Sequence, residues 1–464
     1  MDSDENAEIM SDNTHHKRRR RKKDKKNKLI FSPNEKKLLN NIAIFLAILI
    51  IFFLISYIFQ YISLFRETKN MPHKINRITK ITNTVNHFSI EQDIEKYVNS
   101  LPKVRNDEIL EFRKINSENI LFDRDKYKRS EDPDVSIILT LNNQAHCIHK
   151  ALRSIQNQSL KNIEIIVAID CSQDNSTETI KKYMKEDERI ILIEHDTKVG
   201  TMKNRNDGIR KAKGKYITVV DGDDALIQKD ILKYSFNIAT MGNIDIVEFY
   251  GYMYYKHNVT AKIHFHNTKG IIFQPNLRKK FFYIPENNKS WGILCRSIWG
   301  KLIKNELFQK TLEKMGKYAD DFIIIYEDTM ISITLYQIAQ TYYLFKEVGY
   351  YYSRDDFFGR FPFLPNKNCK IKEVPNKGLD TLKFLNYLYD SMNEDYIERR
   401  TIYFEFLSIN NNFLKFSKYV NDHFDMFYRV VDGLLNSKYL TTKEKEQLKE
   451  IRNEIENKEK NLKK

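Results

Sequence analysis

Glycine and proline are scarce in this 464-residue chain, at 14 and 9 residues, which excludes a collagen-like, fibrous or mainly disordered protein. Cysteine is scarcer: Cys147, Cys171, Cys295 and Cys369 include no CxxC pair, and they permit disulfides in an oxidising compartment without demanding any. Charge is missing altogether between Leu38 and Phe65. That stretch is apolar all round, which is unlike a soluble helix with a wet face and long enough to span a bilayer, for which ~20 residues suffice.

What the chain does have is a core-forming composition, 41% hydrophobic and 12% aromatic. Asn, Lys and Ile are frequent throughout, which we read as a compositional bias of the source. The formal charge of +15 is concentrated in the basic run from Lys17 to Lys28. Alone, such a run fits a nuclear-localisation or nucleic-acid-binding arm. The apolar segment just after it points instead to a signal-anchor, with the basic flank cytosolic and everything after Arg66 across the membrane. A cleaved leader fits less well, because the apolar stretch is long and no small-residue cleavage site follows. Sequons at Asn157, Asn175, Asn258 and Asn288 suit a lumenal location, but an Asn-rich chain produces such matches by chance.

This gives a basic arm over 1–37, a transmembrane helix over 38–65 and a stem over 66–130, with a helical pattern through Ile90, Ile94, Tyr97, Val98 and Leu101. Short apolar runs then alternate with amphipathic stretches. Strands are expected at Val135 to Leu141, Ile163 to Ile169, Ile190 to Ile193 and Tyr216 to Val220, with helices between them, as in a Rossmann-like, mainly parallel sheet. Ligands of such sheets bind at strand carboxyl ends, which directs attention to Asn142, Asp170 and Asp221. A helix from Lys229 to Thr240 and β-like segments over Ile246 to Tyr255 and Ile263 to Phe273 follow. From about Lys370 the chain reads as helical, ending in a solvated Lys/Glu-rich tail.

Val219-Val220-Asp221-Gly222-Asp223-Asp224 closes an apolar strand. Residues two apart in extended backbone share a side, so Asp221 and Asp223 can offer two carboxylates to one Mg2+ or Mn2+ that also binds phosphate. A plain Asp-Gly turn is the alternative. Asp170-Cys171-Ser172-Gln173-Asp174 can supply polar partners for a nucleotide, or a turn leading into a helix. His146-Cys147-Ile148-His149 and His264-Phe265-His266 lack a second ligand pair at zinc-site spacing and read as structural. Trp291, Trp299 and Tyr350-Tyr351-Tyr352 can stack on a sugar, with core packing the simpler reading.

Over Asp134 to Arg354 the chain resembles family 2 glycosyltransferases of the GT-A fold. The resemblance is carried in order by Val135-Ser136-Ile137-Ile138-Leu139, Ser154 to Ser159, Ile163 to Val167, Asp170, Ser172 and Asp174. It continues through Gly200, Arg205-Asn206, Ala212-Lys213-Gly214-Lys215-Tyr216-Ile217, Asp221-Gly222-Asp223-Asp224, Ser297 to Leu302 and Tyr326-Glu327-Asp328-Thr329. It implies an α/β GT-A domain over 131–360, a helical extension over 361–464, and a nucleotide-sugar donor, expected to be a UDP-sugar. It places donor contacts at Asp170, Asp174, Arg205, Asn206 and Asp221, Mn2+ or Mg2+ at Asp223 and Asp221, and the general base at Asp328 for a single inverting displacement on a glycan, protein or lipid hydroxyl. Glu327-Asp328 can equally be the acidic start of a helix.

Two departures bear on this. Thr140-Leu141-Asn142-Asn143 stands where the family has Pro and then Tyr-Asn, and Ile169-Asp170-Cys171-Ser172 stands where it has Asp-Asp-Gly-Ser. They leave open a membrane-tethered, catalytically inactive glycosyltransferase-like binding or scaffold protein. The expected location is a single-pass type II protein of the Golgi or another secretory membrane, with no nucleic-acid partner beyond the nucleotide sugar. A glycan on Asn175, beside the expected nucleotide pocket, would obstruct it, so that sequon is expected to be unoccupied.

Overall fold

A computed structural model describes residues 89–102, 127–255, 258–263, 267–282, 296–353, 370–371, 377–416 and 423–462. The basic arm, the 38–65 span and most of the 66–130 stem lie outside these residues. Among the described residues no helix is long and apolar enough to cross a membrane.

Residues 87–464 form one compact unit, a mixed α/β sheet with flanking helices. Helix α1 covers 89–100 of the stem. Ile94 is fully buried, and Ile90, Tyr97, Val98 and Leu101 pack on the same apolar cluster, the face expected from their spacing. β1 (Val135–Leu141), β2 (Ile163–Ile169), β3 (Ile190–Glu194) and β5 (Tyr216–Asp221) are mutually parallel in the order β3-β2-β1-β5. Every residue of β1 and β2 is buried, because helices cover both faces, and hence their unbroken apolar runs. The intervening helices are α2 (Ile148–Gln156), α3 (Ser176–Met184) and α4 (Thr201–Lys211), with the two-residue strand β4 (Thr197–Lys198) before α4.

After the turn at Asp223 come β6 (Ala225–Leu226), α5 (Ile231–Gly242) and β7 (Ile246–Tyr255). The expected strand over Ile263 to Phe273 is instead two strands, β8 (Asn258–Ile263), which pairs with β7, and β9 (Ile271–Phe273), which pairs with a later strand over Thr341–Ser353. α6 (Asn276–Phe281), β10 (Lys301–Lys304), α7 (Asn305–Met315), α8 (Glu327–Ile338) and β11 (Thr341–Ser353) complete the sheet. β10 is inserted antiparallel between β5 and β7, and β11 runs parallel to β7.

β12 (Lys370–Ile371) pairs with β4, and the chain then forms α9 (Lys377–Ser391), α10 (Tyr396–Phe416), α11 (Phe424–Asn436) and α12 (Thr442–Leu462). These helices share a core with the sheet: Leu382, Phe406, Val431 and Ile455 belong to the same apolar cluster as Ile138 and Ile217. The terminal segment is therefore not a solvated tail throughout. Leu448 and Ile455, seven residues apart, are fully buried with Ile451 packed between them, a stripe that the surrounding Lys and Glu conceal in the sequence.

The Ala212-Lys213-Gly214 segment of the resemblance serves packing at the opposite ends of the strands. Buried Glu164 accepts the N–H groups of Lys213 and Gly214 and the hydroxyl of Ser136. A Cβ on Gly214 would collide with the backbone of Ser136, so only glycine fits there.

Candidate active site

The carboxyl ends of β1, β2 and β5 open into a cleft of about 720 Å³. Its lining includes Asn142, Asp170 and Asp221, the three strand ends singled out from the sequence, together with Arg205, Asp223 and Asp328. Asp174 and Asn206 are not among the lining residues. Asp174 accepts the N–H of Ala145 at 2.8 Å and both the N–H and hydroxyl of Ser176, so it ties the β1 loop to the start of α3. Asn206 is fully buried and donates to the Ala319 carbonyl at 2.8 Å. Asn175 is exposed and also outside the lining.

Asp170 lines the cleft but is occupied by its own chain. Its carboxylate accepts the N–H of Val199 at 2.7 Å and of Gly200 at 3.2 Å, and Lys198 lies 3.6 Å away. Lys198 also donates to Asn142 at 2.9 Å. Burial lowers the pKa of its ammonium group, with Asp170 opposing that shift. Beside it, Cys171 has φ +48° where the resembled family has glycine, so the left-handed turn is kept at a steric cost of about 1–2 kcal/mol. Cys171 is disulfide-bonded, and the Cys147 thiol donates to the Gln144 and Gly222 carbonyls at 3.6 Å.

The acidic turn differs from the extended geometry expected of it. β5 stops at Asp221, and Gly222-Asp223 form a turn closed by the Asp224 N–H on the Asp221 carbonyl at 3.0 Å. A turn, not strand alternation, brings Asp221 and Asp223 to the same cleft. Asp224 is fully buried and faces away, accepting the Tyr350 hydroxyl at 2.8 Å and the Ser353 N–H at 2.9 Å. Burial, reinforced by Asp221, holds its pKa well above the usual carboxylate range.

Arg205, on α4 and 1% exposed, joins the two sides of the cleft. Its guanidinium donates to Asp221 at 3.1 Å, Glu327 at 3.2 Å and Asp328 at 2.6 Å. Burial alone would lower its pKa, but Asp328, Asp221 and Glu327 together raise it. The two acids occupy the first turn of α8, so the helix-start reading and the cleft reading coincide. Burial and repulsion from Asp328 push Glu327 up to about 8 against the pull of Arg205. Asp328 is also raised, by burial, with Arg205 opposing; its second oxygen accepts the Ile298 N–H at 3.4 Å.

The wall beside Asp328 consists of residues that periodicity does not mark. Arg296 lines it and pairs with the fully buried Glu405 of α10 at 2.5 and 2.6 Å. Ile324, Ile325 and Tyr326 line it too, and Asp380 of α9 accepts the N–H groups of Ile324 and Ile325 at 3.0 and 3.2 Å. Tyr326, with φ +71°, stacks on Phe384 of α9 at 4.8 Å. Strain of this kind persists only where the surroundings over-determine it. His149, from the first histidine cluster, meets the Tyr183 hydroxyl at 2.7 Å, a structural role; His264, His266 and Trp291 lie outside the described residues. Among the described residues no group of three or more His, Cys, Asp or Glu is placed to hold a metal ion by itself.

Residues 136–312 match the family model described as Glycosyl transferase family 2. Glycosyltransferase GlyA of Streptococcus pneumoniae is 29% identical over 222 residues, covering 46% of this chain and 31% of that protein. The uncharacterized glycosyltransferase EpsJ of Bacillus subtilis is 28% identical over 47% of this chain and 61% of its own length. The chain thus spans less than two thirds of these relatives. Glycosyltransferase GlyG of Streptococcus pneumoniae is 25% identical over 55% of this chain and 87% of its own length. Among solved structures, TarS 1–349 of S. aureus in complex with UDP-GlcNAc has 16% identity and a TM-score of 0.48, covering 70% of this chain and 89% of that one.

Proposed function

We propose that this chain, which carries a family 2 glycosyltransferase segment over 136–312, transfers a sugar from a nucleotide-sugar donor, a UDP-sugar by preference, to an acceptor hydroxyl with inversion. The observation that carries this reading is the Arg205 guanidinium. It holds Asp221, on the side of the acidic turn, and Asp328, on the opposite wall, in one cleft. An in-line displacement needs a leaving diphosphate and an activated hydroxyl on opposite sides of one anomeric carbon. Asp328 is the general base; its raised pKa makes it a better proton acceptor once ionised.

The donor set fits a divalent cation bound mainly by substrate. Asp170, Asp221, Asp223, Glu327 and Asp328 line the cleft against Lys198, Arg205, Arg296 and Lys377, so an entering diphosphate meets no net positive charge. Mg2+ and Mn2+ sites of this type use one or two carboxylates and take their remaining ligands from phosphate and water. Asp221 and Asp223 would hold the ion, which when bound neutralises charge developing on the departing nucleotide. Arg205, which donates to Asp221, would fix that carboxylate in the cleft.

The apolar segment 38–65 supports membrane anchoring as a single-pass type II protein, with the catalytic unit in a secretory lumen, expected to be the Golgi. A disulfide at Cys171 accords with that oxidising side. The second reading, a binding protein without turnover, has one specific support: Asp170 is saturated by backbone amides. The deciding experiment is a nucleotide-sugar panel with and without Mn2+ or Mg2+, run beside Asp223→Ala. Metal-dependent turnover lost in the variant supports the transferase. Donor binding without turnover on any acceptor supports the inactive relative.

A further inference from the structure

Beside the acidic turn stands a side chain that neither the motifs nor the resemblance marks. Gln144 follows the end of β1, lines the cleft and is half-buried. Its Oε1 accepts the Asn142 N–H at 3.3 Å. A backbone N–H needs an oxygen opposite it, so this contact fixes which way round the amide lies and leaves its NH2 end with two donors. Among the described residues no group accepts from that nitrogen.

The backbone under Gln144 is fixed at both ends. Its N–H reaches the Ser176 hydroxyl at 3.2 Å, and its carbonyl takes the Cys147 and Ile148 N–H groups at 3.1 and 3.0 Å at the start of α2. The residues on either side are tied to the β2 loop: the Asn143 N–H donates to Ser172 at 3.0 Å and the Ala145 N–H to Asp174 at 2.8 Å. Asp174, outside the cleft itself, thus helps to hold Gln144 at its edge. The side chain lies against the turn. A Cβ on Gly222 would stand 2.5 Å from the Gln144 Oε1 and 2.2 Å from Leu141 Cδ2, so the glycine between Asp221 and Asp223 leaves room for the amide.

The reading above places the donor diphosphate at Asp221 and Asp223. The covalent order of a nucleotide is base, ribose, diphosphate, so a nucleoside running from the turn across the end of β1 toward Asp170 carries its ribose past Gln144. A diphosphate is met by charge, from a bound cation; a ribose hydroxyl is neutral and can accept from a neutral amide while donating elsewhere. We propose that Gln144 is a specificity-determining residue of the donor site, its Nε2 donating to a hydroxyl of the donor ribose, so that the site tells a ribonucleotide from its deoxy forms. This rests on the transferase reading above.

Full-length protein is titrated calorimetrically with UDP, 2′-deoxy-UDP and 3′-deoxy-UDP in the presence of Mn2+. The native chain is expected to bind UDP about three- to tenfold more tightly than at least one deoxy analogue, the usual weight of one hydrogen bond. Gln144→Met keeps the length of the side chain and removes the amide. It is expected to weaken UDP by about that factor while its affinity for the same analogue stays within about twofold, so that the preference disappears. The same loss of preference is expected of Gln144→Ala, which is too short to press on Gly222. If the native protein binds the three ligands alike, or if both variants keep its preference, the ribose contact is overturned and the transferase reading stands. If UDP does not bind the native protein at all, the functional reading falls and the ribose contact with it.

Discussion

The two walls of the cleft are built in different ways. On the side proposed for the donor, Asn142 and Asp170 stand directly after β1 and β2 and Asp221 is the last residue of β5, and the loops bond mainly to one another. On the acceptor side, the 296–299 and 324–328 segments belong to no sheet strand. They are held by residues far along the chain, Glu405 and Asp380 of the C-terminal helices. A strand end sets its position through the sheet; a free-standing loop takes its position from whatever packs behind it. The helices after residue 377 are thus part of the proposed acceptor wall rather than an appendage to the catalytic unit.

The largest test of this division is Asp328→Asn. If the walls do separate work, kcat falls about 10²–10⁴-fold, the usual weight of a general base, while the dissociation constant for UDP-sugar, measured by calorimetry, changes little. An equal loss of donor binding would mean that the walls are not functionally separate. Next in size is Glu405→Ala, distant in sequence from both acidic motifs. It leaves the Arg296 guanidinium without its buried carboxylate partner, and removing one side of such a pair costs about 3 kcal/mol or more, to be read from denaturant unfolding. Smaller again is Asp380→Ala, which strips an acceptor from the Ile324 and Ile325 N–H groups at about 1–3 kcal/mol. Its sharper signature is kinetic: acceptor KM rises while donor affinity holds.

The contrast also explains what the sequence made legible. The parallel strands were readable because burial on both faces forces unbroken apolar runs such as Val135 to Leu141, and the position of Asp221 followed from where such a run stops. The turn at Gly222-Asp223 is what the Asp-Gly pair signals, while period-two reasoning, which has no way to mark the last residue of a strand, reads the same residues as extended. Asp174 and Asn206 carry the family pattern but lie outside the cleft, since the pattern also records what holds the loops. Glu405, Asp380 and Phe384 gave no signal, because a buried acid on a helix looks like a solvated one until its partner is known. Arg205 was found by resemblance, but its role as the link between walls depends on α8 arriving beside α4, which local pattern does not encode.

The smallest predicted effect concerns that link. Glu327 is pushed up to about 8 from the ordinary glutamate value of 4.5, by burial first and by its neighbour Asp328 second. Between those two pH values the folded protein therefore binds a proton that the unfolded chain has released. Stability then falls as pH rises through that window, since its slope follows the protons bound by the unfolded state minus those bound by the native one. The contribution is full below the unfolded value and is lost as pH passes the folded one. Thermal unfolding of the ligand-free protein should accordingly show Tm declining from mildly acidic pH toward pH 8. Glu327→Gln, which stays neutral throughout and can still accept from Arg205, should flatten that decline while leaving the low-pH Tm close to wild type. If the variant keeps the same slope, the charge balance around Arg205 lies elsewhere, and the guanidinium does not hold the two walls together in the way that Asp221, Glu327 and Asp328 suggest.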